Sequence, residues 1–207
     1  MRSSKTAVLK VDPRRPDAAA IACGARVIRE GGLVGFPTET VYGLAAHRSD
    51  RKAIDRLYAV KKRSRGKPLT IHISDTTMIC SAGCRMTGSA KILAKNFWPG
   101  PLTILLKSAG GRKIGFRMPA NTVALRLIAA SKVPVVAPSA NLSGKRPPTS
   151  AAAVLKGLGG KIDLVLDGGR TAVGIESTVI DVSVSPAVIL REGAIKARVL
   201  AKFIDIA

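Results

Sequence analysis

From residue 76 to residue 162 the sequence contains no carboxylate. The same stretch carries Arg85, Lys107, Arg112, Arg117, Lys145, Arg146 and Lys156 among its cations. A metal site built on carboxylates is therefore excluded inside it, and an anion-binding surface is expected there. The imbalance extends to the whole chain, where 34 Lys and Arg stand against 13 Asp and Glu for a formal net charge of +21. Such a balance points to nucleic acid or phosphorylated substrates, with general solubility as the blander reading.

Other shortages narrow the field further. Aromatic residues make up only 3% of the chain, so the core must be aliphatic and tight with Ala and Gly. His47 and His72 are the only histidines, which argues against a His-rich metal centre. Cys23, Cys80 and Cys84 form no disulfide framework and suit a reducing compartment; Cys80 and Cys84 read as small buried residues, not as half of a zinc site. No run approaches the roughly 20 apolar residues of a membrane span, and residues 1–16 lack an apolar signal core. A cytoplasmic protein without a membrane partner is expected. Neither a G-x-x-x-x-G-K-[ST] phosphate loop nor a G-x-S-x-G nucleophile elbow occurs.

What is present alternates between helix and strand signals. Pro16 and Asp17 open an Ala-rich helix that stops at Gly31 and Gly32. A buried strand follows over residues 33–36. Ser49 and Asp50 cap a second helix, which runs into the basic stretch 61–68. A strand is expected over 69–73, a helix near 87–96, and a Pro/Gly turn feeding a strand in FWPGPLTILLK. Asn121 caps another helix, VPVVAP is a short buried strand, and Thr149 caps a further Ala-rich helix. IDLVLDGG, STVIDVS and AVILRE read as three strands, the last two close enough to pair as a hairpin. A basic helical tail over 196–207 ends the chain. Together these predict one α/β domain over 1–207, a twisted, open, mixed sheet with flanking helices.

Several places carry chemistry-bearing groups. PTETVYGLAA, residues 37–46, leaves a buried strand through Thr38, Glu39, Thr40 and Tyr42, where a Gly/Asn turn would be ordinary. Lys61, Arg63 and Lys67 crowd a helix end and repel one another unless an anion joins them, although a solvated helix terminus is the alternative. In APSANLSGKRPPTS, Ser139, Asn141 and Ser143 precede Lys145, Arg146 and a helix N-terminus, a composition suited to a polyphosphate or to a self-satisfied loop. Arg117 lies in the apolar segment GFRMP and needs an anion, from this protein or from a ligand; the local lack of acids favours a ligand carboxylate. Finally, GIESTVID places Glu176, Ser177 and Thr178 at the start of a strand.

These segments carry a resemblance. GGLVGFPTETVYGLAA, the K-x-R of Lys61 and Arg63 with Lys67 and Pro68, FWPGPLT, FRMP, the S-x-N of Ser139 and Asn141, ESTVID and ILREGAI resemble, in order over about residues 31–195, the YrdC-like family of L-threonylcarbamoyladenylate synthases. The resemblance implies a concave basic cavity and a nucleotidyltransferase that makes threonylcarbamoyl-adenylate and pyrophosphate from L-threonine, bicarbonate and ATP. That is the first step of tRNA threonylcarbamoyladenosine modification, completed by a separate transferase complex. By motif position, Lys61, Arg63, Ser139 and Asn141 would form the catalytic tetrad. Arg63, Lys67, Ser139, Arg146 and Arg191 would meet ATP, and Thr40, His72, Arg117 and Ser177 would meet threonine. Mg²⁺ would arrive on the triphosphate, without a protein metal site. Lys113, Pro147 and Glu192 depart from the family pattern. Rival readings are a paralogue with another substrate and a non-catalytic RNA-binding or ribosome-associated protein; RNA affinity is expected in either case.

Overall fold

The computed structural model describes residues 5–207, so residues 1–4 of the N-terminal segment read above lie outside the described residues. Among these described residues ten strands form one sheet: β1 (Ala7–Lys10), β2 (Val34–Phe36), β3 (Gly43–His47), β4 (Ile71–His72), β5 (Leu102–Lys107), β6 (Lys113–Arg117), β7 (Val135–Val136), β8 (Leu164–Asp167), β9 (Thr178–Asp181) and β10 (Val188–Arg191). Their spatial order is β1-β8-β2-β3-β7-β4-β6-β5-β9-β10. β8 is parallel to both β1 and β2, β4 to β6, and β5 to β9. The remaining neighbours run antiparallel, including the β9–β10 hairpin. The sheet is mixed and open, as the alternation of signals predicts.

Among the described residues seven helices flank it: α1 (Ala18–Arg29), α2 (Arg51–Lys61), α3 (Met78–Ser81), α4 (Gly88–Phe97), α5 (Thr122–Ser131), α6 (Ala151–Leu158) and α7 (Ala197–Leu200). Side-chain caps start the longer ones, because the first amides of a helix have no partner within it. Asp17 accepts from the Ala20 amide at 2.9 Å, Asp50 from Lys52 at 2.8 Å, and Asn121 from Ala124 at 3.0 Å. The strand period of two then sorts the core into two faces. Leu164 and Leu166 of β8 face α1 and α5, packing with Ile21, Ile28, Val123 and Leu127. Val165 faces the other way, into the cluster of Leu57, Leu93, Val154 and Leu158 from α2, α4 and α6.

Several expectations change. β3 is a strand, so PTETVY is the connection of the β2–β3 hairpin, with Val34 opposite Ala45. β1 adds an edge strand that the sequence reading lacked. Ser150, not Thr149, caps α6, accepting from the Ala153 amide at 3.3 Å. The tail holds one helical turn, α7, and then returns to bridge Ala187 through Ile206. Cys84 is buried, whereas Cys80 is exposed. Lys113 pairs with buried Asp181 at 2.7 Å across β6 and β9.

One close approach ties the late hairpin to the segment before β9. The Ala194 amide donates to the Glu176 carbonyl at 3.0 Å. A Cβ on Gly193 would stand 2.3 Å from that carbonyl oxygen and 2.6 Å from the Ser177 carbonyl carbon. Only glycine fits. Gly193→Ala is expected to cost about 1–3 kcal/mol through backbone displacement, read as a lower urea midpoint at unchanged slope. An unmoved midpoint would show that the contact yields freely.

Candidate active site

The last residue of α2 organises the site. Leu57 and Ala53 bury the inner face of α2, and continuing that helical stripe to Lys61 carries a lysine into the interior, only 1% exposed. Its ammonium donates to the carbonyl oxygens of Ser139 and Asn141, the latter at 2.7 Å. Its own carbonyl accepts from the Ser143 amide at 2.8 Å. One residue thus clamps the loop 139–143 from both ends. Burial pulls the Lys61 pKa down to about 8, Arg63 adds to that, and Glu176 opposes it.

Beyond the helix, Lys62 takes the left-handed conformation at φ 49° and turns the chain. The Arg63 guanidinium then folds back on its own segment, with Nη2 donating to the Pro68 carbonyl at 3.0 Å. Lys61, Arg63, Lys67, Ser139, Asn141, Ser143, Lys145 and Arg191 line a cavity of about 380 Å³ in which Glu176 is the only lining carboxylate. We call it the outer lobe. Asn141 Oδ1 and Ser143 Oγ are buried there without a hydrogen-bond partner. Such orphans cost about 1–3 kcal/mol each, a penalty that a ligand donor or acceptor relieves.

A smaller inner lobe of about 100 Å³ adjoins it, lined by Thr38, His72, Thr103, Arg117 and Ser177 among others. Arg117, at the end of β6, is 5% exposed. Of the two partners the sequence left open for this guanidinium, a carboxylate of the protein is present, because Glu39 sits 2.9 Å from its Nη2. The contact is an ion pair and not an aligned hydrogen bond, since both Glu39 oxygens lack a well-directed donor. Thr40 Oγ1 accepts from the same nitrogen at 2.7 Å, and the Gly100 carbonyl accepts from Nε at 3.4 Å. Burial lowers the Arg117 pKa and Glu39 raises it back. His72 lies beside it on β4, pushed down to about 3 by burial and then by Arg117, so the imidazole is neutral. Its Nδ1 is buried without a partner. Ser177 Oγ lies 2.9 Å from Thr103 Oγ1, and Arg191 donates to the Ser177 carbonyl at 2.8 Å.

Arg63, Ser139, Glu176 and Arg191 line both lobes and form the seam between them. The structure therefore brings together Lys61, Arg63, Lys67, Ser139, Asn141, His72, Arg117, Ser177 and Arg191. Two candidates stand apart. Thr40 is wholly buried behind Arg117 and does not line the cavity. Arg146 lines neither lobe; it borders a neighbouring groove of about 660 Å³ with Lys145, Lys156 and Arg170. Tyr42 also turns away, donating to the Gly169 carbonyl at 2.7 Å. Glu39, Thr38 and Thr103 were not assigned from sequence, although all three lie in the motif segments PTETVYG and FWPGPLT.

An α/β sheet whose strand ends surround a basic, two-lobed cavity defines a class of small-molecule-binding protein. The chain belongs to the Sua5/YciO/YrdC family, described as Telomere recombination, whose sequence model matches residues 26–193. It is 44% identical over 193 residues to the threonylcarbamoyl-AMP synthase of Pyrococcus abyssi, covering 89% of this chain and 57% of that protein. Identity to the threonylcarbamoyl-AMP synthase of Bacillus subtilis is 42% over 185 residues, covering 84% and 54%. The crystal structure of Pyrococcus abyssi Sua5 complexed with L-threonine superposes with a TM-score of 0.90 at 42% identity, covering 98% of this chain and 63% of that one. The chain spans about half the length of the curated relatives it matches.

The ion pair under the inner lobe makes a stability prediction. Glu39→Gln leaves a buried guanidinium without its counter-charge, which typically costs about 3–5 kcal/mol. Glu39→Gln combined with Arg117→Met should recover most of that loss. Urea denaturation of the single and double variants decides it; a single variant as stable as the wild type would show that Arg117 needs no carboxylate.

Proposed function

We propose that this chain is a threonylcarbamoyl-AMP synthase, a nucleotidyltransferase acting on L-threonine, bicarbonate and ATP. The observation that carries the reading is the pair of lobes meeting at a shared seam. The outer lobe presents Lys61, Arg63, Lys67, Lys145 and Arg191 against one carboxylate, Glu176, which suits a triphosphate. The inner lobe offers the Arg117 donors, the Ser177 and Thr103 hydroxyls and the orphan His72 nitrogen. Those groups suit the carboxylate and hydroxyl of an amino acid.

The chemistry needs no protein nucleophile. The threonine α-ammonium first gives up a proton to solvent. The free amine then attacks the carbon of bicarbonate, with loss of water, or of carbon dioxide, with loss of a proton, forming the C–N bond of a carbamate. A carbamate oxygen then attacks the α-phosphorus, and the bond to the bridging oxygen breaks to release pyrophosphate. The chain's task is to hold the reactants in line across the seam and to neutralise charge growing on phosphate oxygens. Arg63 and Arg191, which line both lobes, are the cations assigned to that charge. Mg²⁺ would enter on the triphosphate and shield its charge, since five cations around one carboxylate disfavour a bare dication. The product would pass to a separate threonylcarbamoyl transferase complex, and the net charge of +21 supports salt-sensitive association with tRNA or other RNA. Among the described residues no helix is long and apolar enough to cross a membrane.

Pyrophosphate release that requires both threonine and bicarbonate tests the reading; release that ignores either one defeats it. Arg63→Ala should lower that rate roughly a hundredfold, the usual effect of removing one charge-stabilising contact, while leaving the urea midpoint near the wild-type value. A rate within threefold of wild type would remove Arg63 from the reaction.

Lys61 adds a pH dependence. Its pKa in the free protein is about 8. Protonated Lys61 favours a polyanion, so ATP binding raises that pKa. Affinity must then weaken as pH rises above about 8, by up to tenfold per unit until the bound-state pKa is reached. Calorimetric titration of ATP between pH 7 and 9.5 reads the slope, which Lys61→Met should flatten. A flat wild-type profile would show that the buried ammonium is indifferent to nucleotide.

A further inference from the structure

Glu176 is the only carboxylate that lines either lobe among the described residues, and it lines both. Its root is fixed, because the Ala194 amide bonds its carbonyl and Gly193 packs against it. Its side chain makes one ion pair, from Oε2 to Arg191 Nη1 at 3.2 Å. Arg191 spends Nε and Nη2 on the Ser177 carbonyl, at 3.2 and 2.8 Å, so only one of its nitrogens faces Glu176. The Glu176 side chain is 34% exposed and the Arg191 side chain 43%. A pair so open to water contributes little to stability, which leaves its structural role weak.

The setting makes that carboxylate unexpected. Every other ligand-facing charge around it is positive, and its field acts on both Lys61 and Arg117. A site meant only for anions would be weakened by a carboxylate at its centre. A site for a zwitterion would not. An amino acid whose carboxylate and hydroxyl enter the inner lobe has one cationic group left, its α-ammonium. Only the seam offers that group a counter-charge.

We propose that Glu176 binds the α-ammonium of the amino-acid substrate and so places the reacting nitrogen at the boundary with the nucleotide lobe. The inference rests on the threonine-dependent function given above. It assigns Glu176 to substrate binding and selects amines over the corresponding α-hydroxy acids, a specificity that neither the cation cluster nor the hydroxyls can supply.

The test compares wild type, Glu176→Gln and Glu176→Ala by calorimetric titration with L-threonine, with its α-hydroxy analogue 2,3-dihydroxybutyrate, and with ATP. Circular dichroism and urea midpoints confirm that each variant folds. Wild type should prefer threonine to the hydroxy acid, and Glu176→Gln should weaken threonine roughly ten- to a hundredfold while leaving the hydroxy acid unchanged. ATP affinity should hold or improve, because a negative charge beside the phosphates is gone. In steady state the threonine KM should rise more than kcat falls. Unchanged threonine affinity in Glu176→Gln, or an intact preference for the amine, overturns the proposal. So does a loss confined to Mg²⁺-ATP, which would make Glu176 a metal ligand. A wild type that binds no threonine removes the functional reading and this inference together, whereas threonine bound equally by wild type and variant removes the inference alone.

Discussion

The buried pair of Arg117 and Glu39 joins two parts of the chain that would otherwise move independently. One partner ends β6 and the other belongs to the connection between β2 and β3, and their side chains are 7% and 11% exposed. Transferring a guanidinium and a carboxylate from water is costly, and mutual attraction offsets that cost only when geometry and further hydrogen bonds assist. Thr40 Oγ1 and the Gly100 carbonyl supply that assistance. Backbone bonds do the rest: the Val173 amide donates to the Glu39 carbonyl at 2.9 Å and Gly174 to that of Thr40 at 2.9 Å. The floor of the cavity is therefore held from three directions, which makes it a pre-organised surface and not a loop awaiting order.

That pair also sets the electrostatics above it. Glu39 cancels much of the Arg117 charge, and His72 contributes none because its pKa lies near 3. What remains around the inner lobe is Arg63 and Arg191 against Glu176. The outer lobe adds Lys61, Lys67 and Lys145 to the same three residues. A nearly balanced chamber thus opens onto a strongly cationic one. A zwitterion and a polyanion would sort themselves between the two without any further device, since each would lose Coulomb energy by exchanging places.

Helices were the legible part of this fold, because capping residues mark where they begin. Asp17, Asp50 and Asn121 cap helices where the sequence places them, and the cap expected at Thr149 falls one residue later, at Ser150. Strands were harder. β3 is GLAAH, without a β-branched or aromatic residue, and β1 is an edge strand whose side chains are mostly exposed, so neither shows the pattern that marks a strand. In the site, the motif segments converge on one cavity, because the sheet order sets β4, β6, β5, β9 and β10 side by side. The partner of Arg117 could not be read the same way. An acid-free neighbourhood in sequence suggested an unpaired guanidinium, yet the fold supplied Glu39 from another segment. Local composition reports what is near in the chain and says nothing of what the sheet brings across it.

The four residues of the seam come from four places: the turn after α2, the loop after β7, the segment before β9, and β10 itself. Each of them lines both lobes. Arg191 illustrates the consequence. Its Nη1 can satisfy Glu176 or a phosphate oxygen, and an anion in the outer lobe competes for it. If that ion pair is shared, Glu176 loses part of its counter-charge and becomes a better partner for a cation. Filling the outer lobe would thereby strengthen the seam's attraction for an ammonium, and linkage requires the converse. One guanidinium and one carboxylate would then couple the two lobes, without any rearrangement of the sheet that carries them.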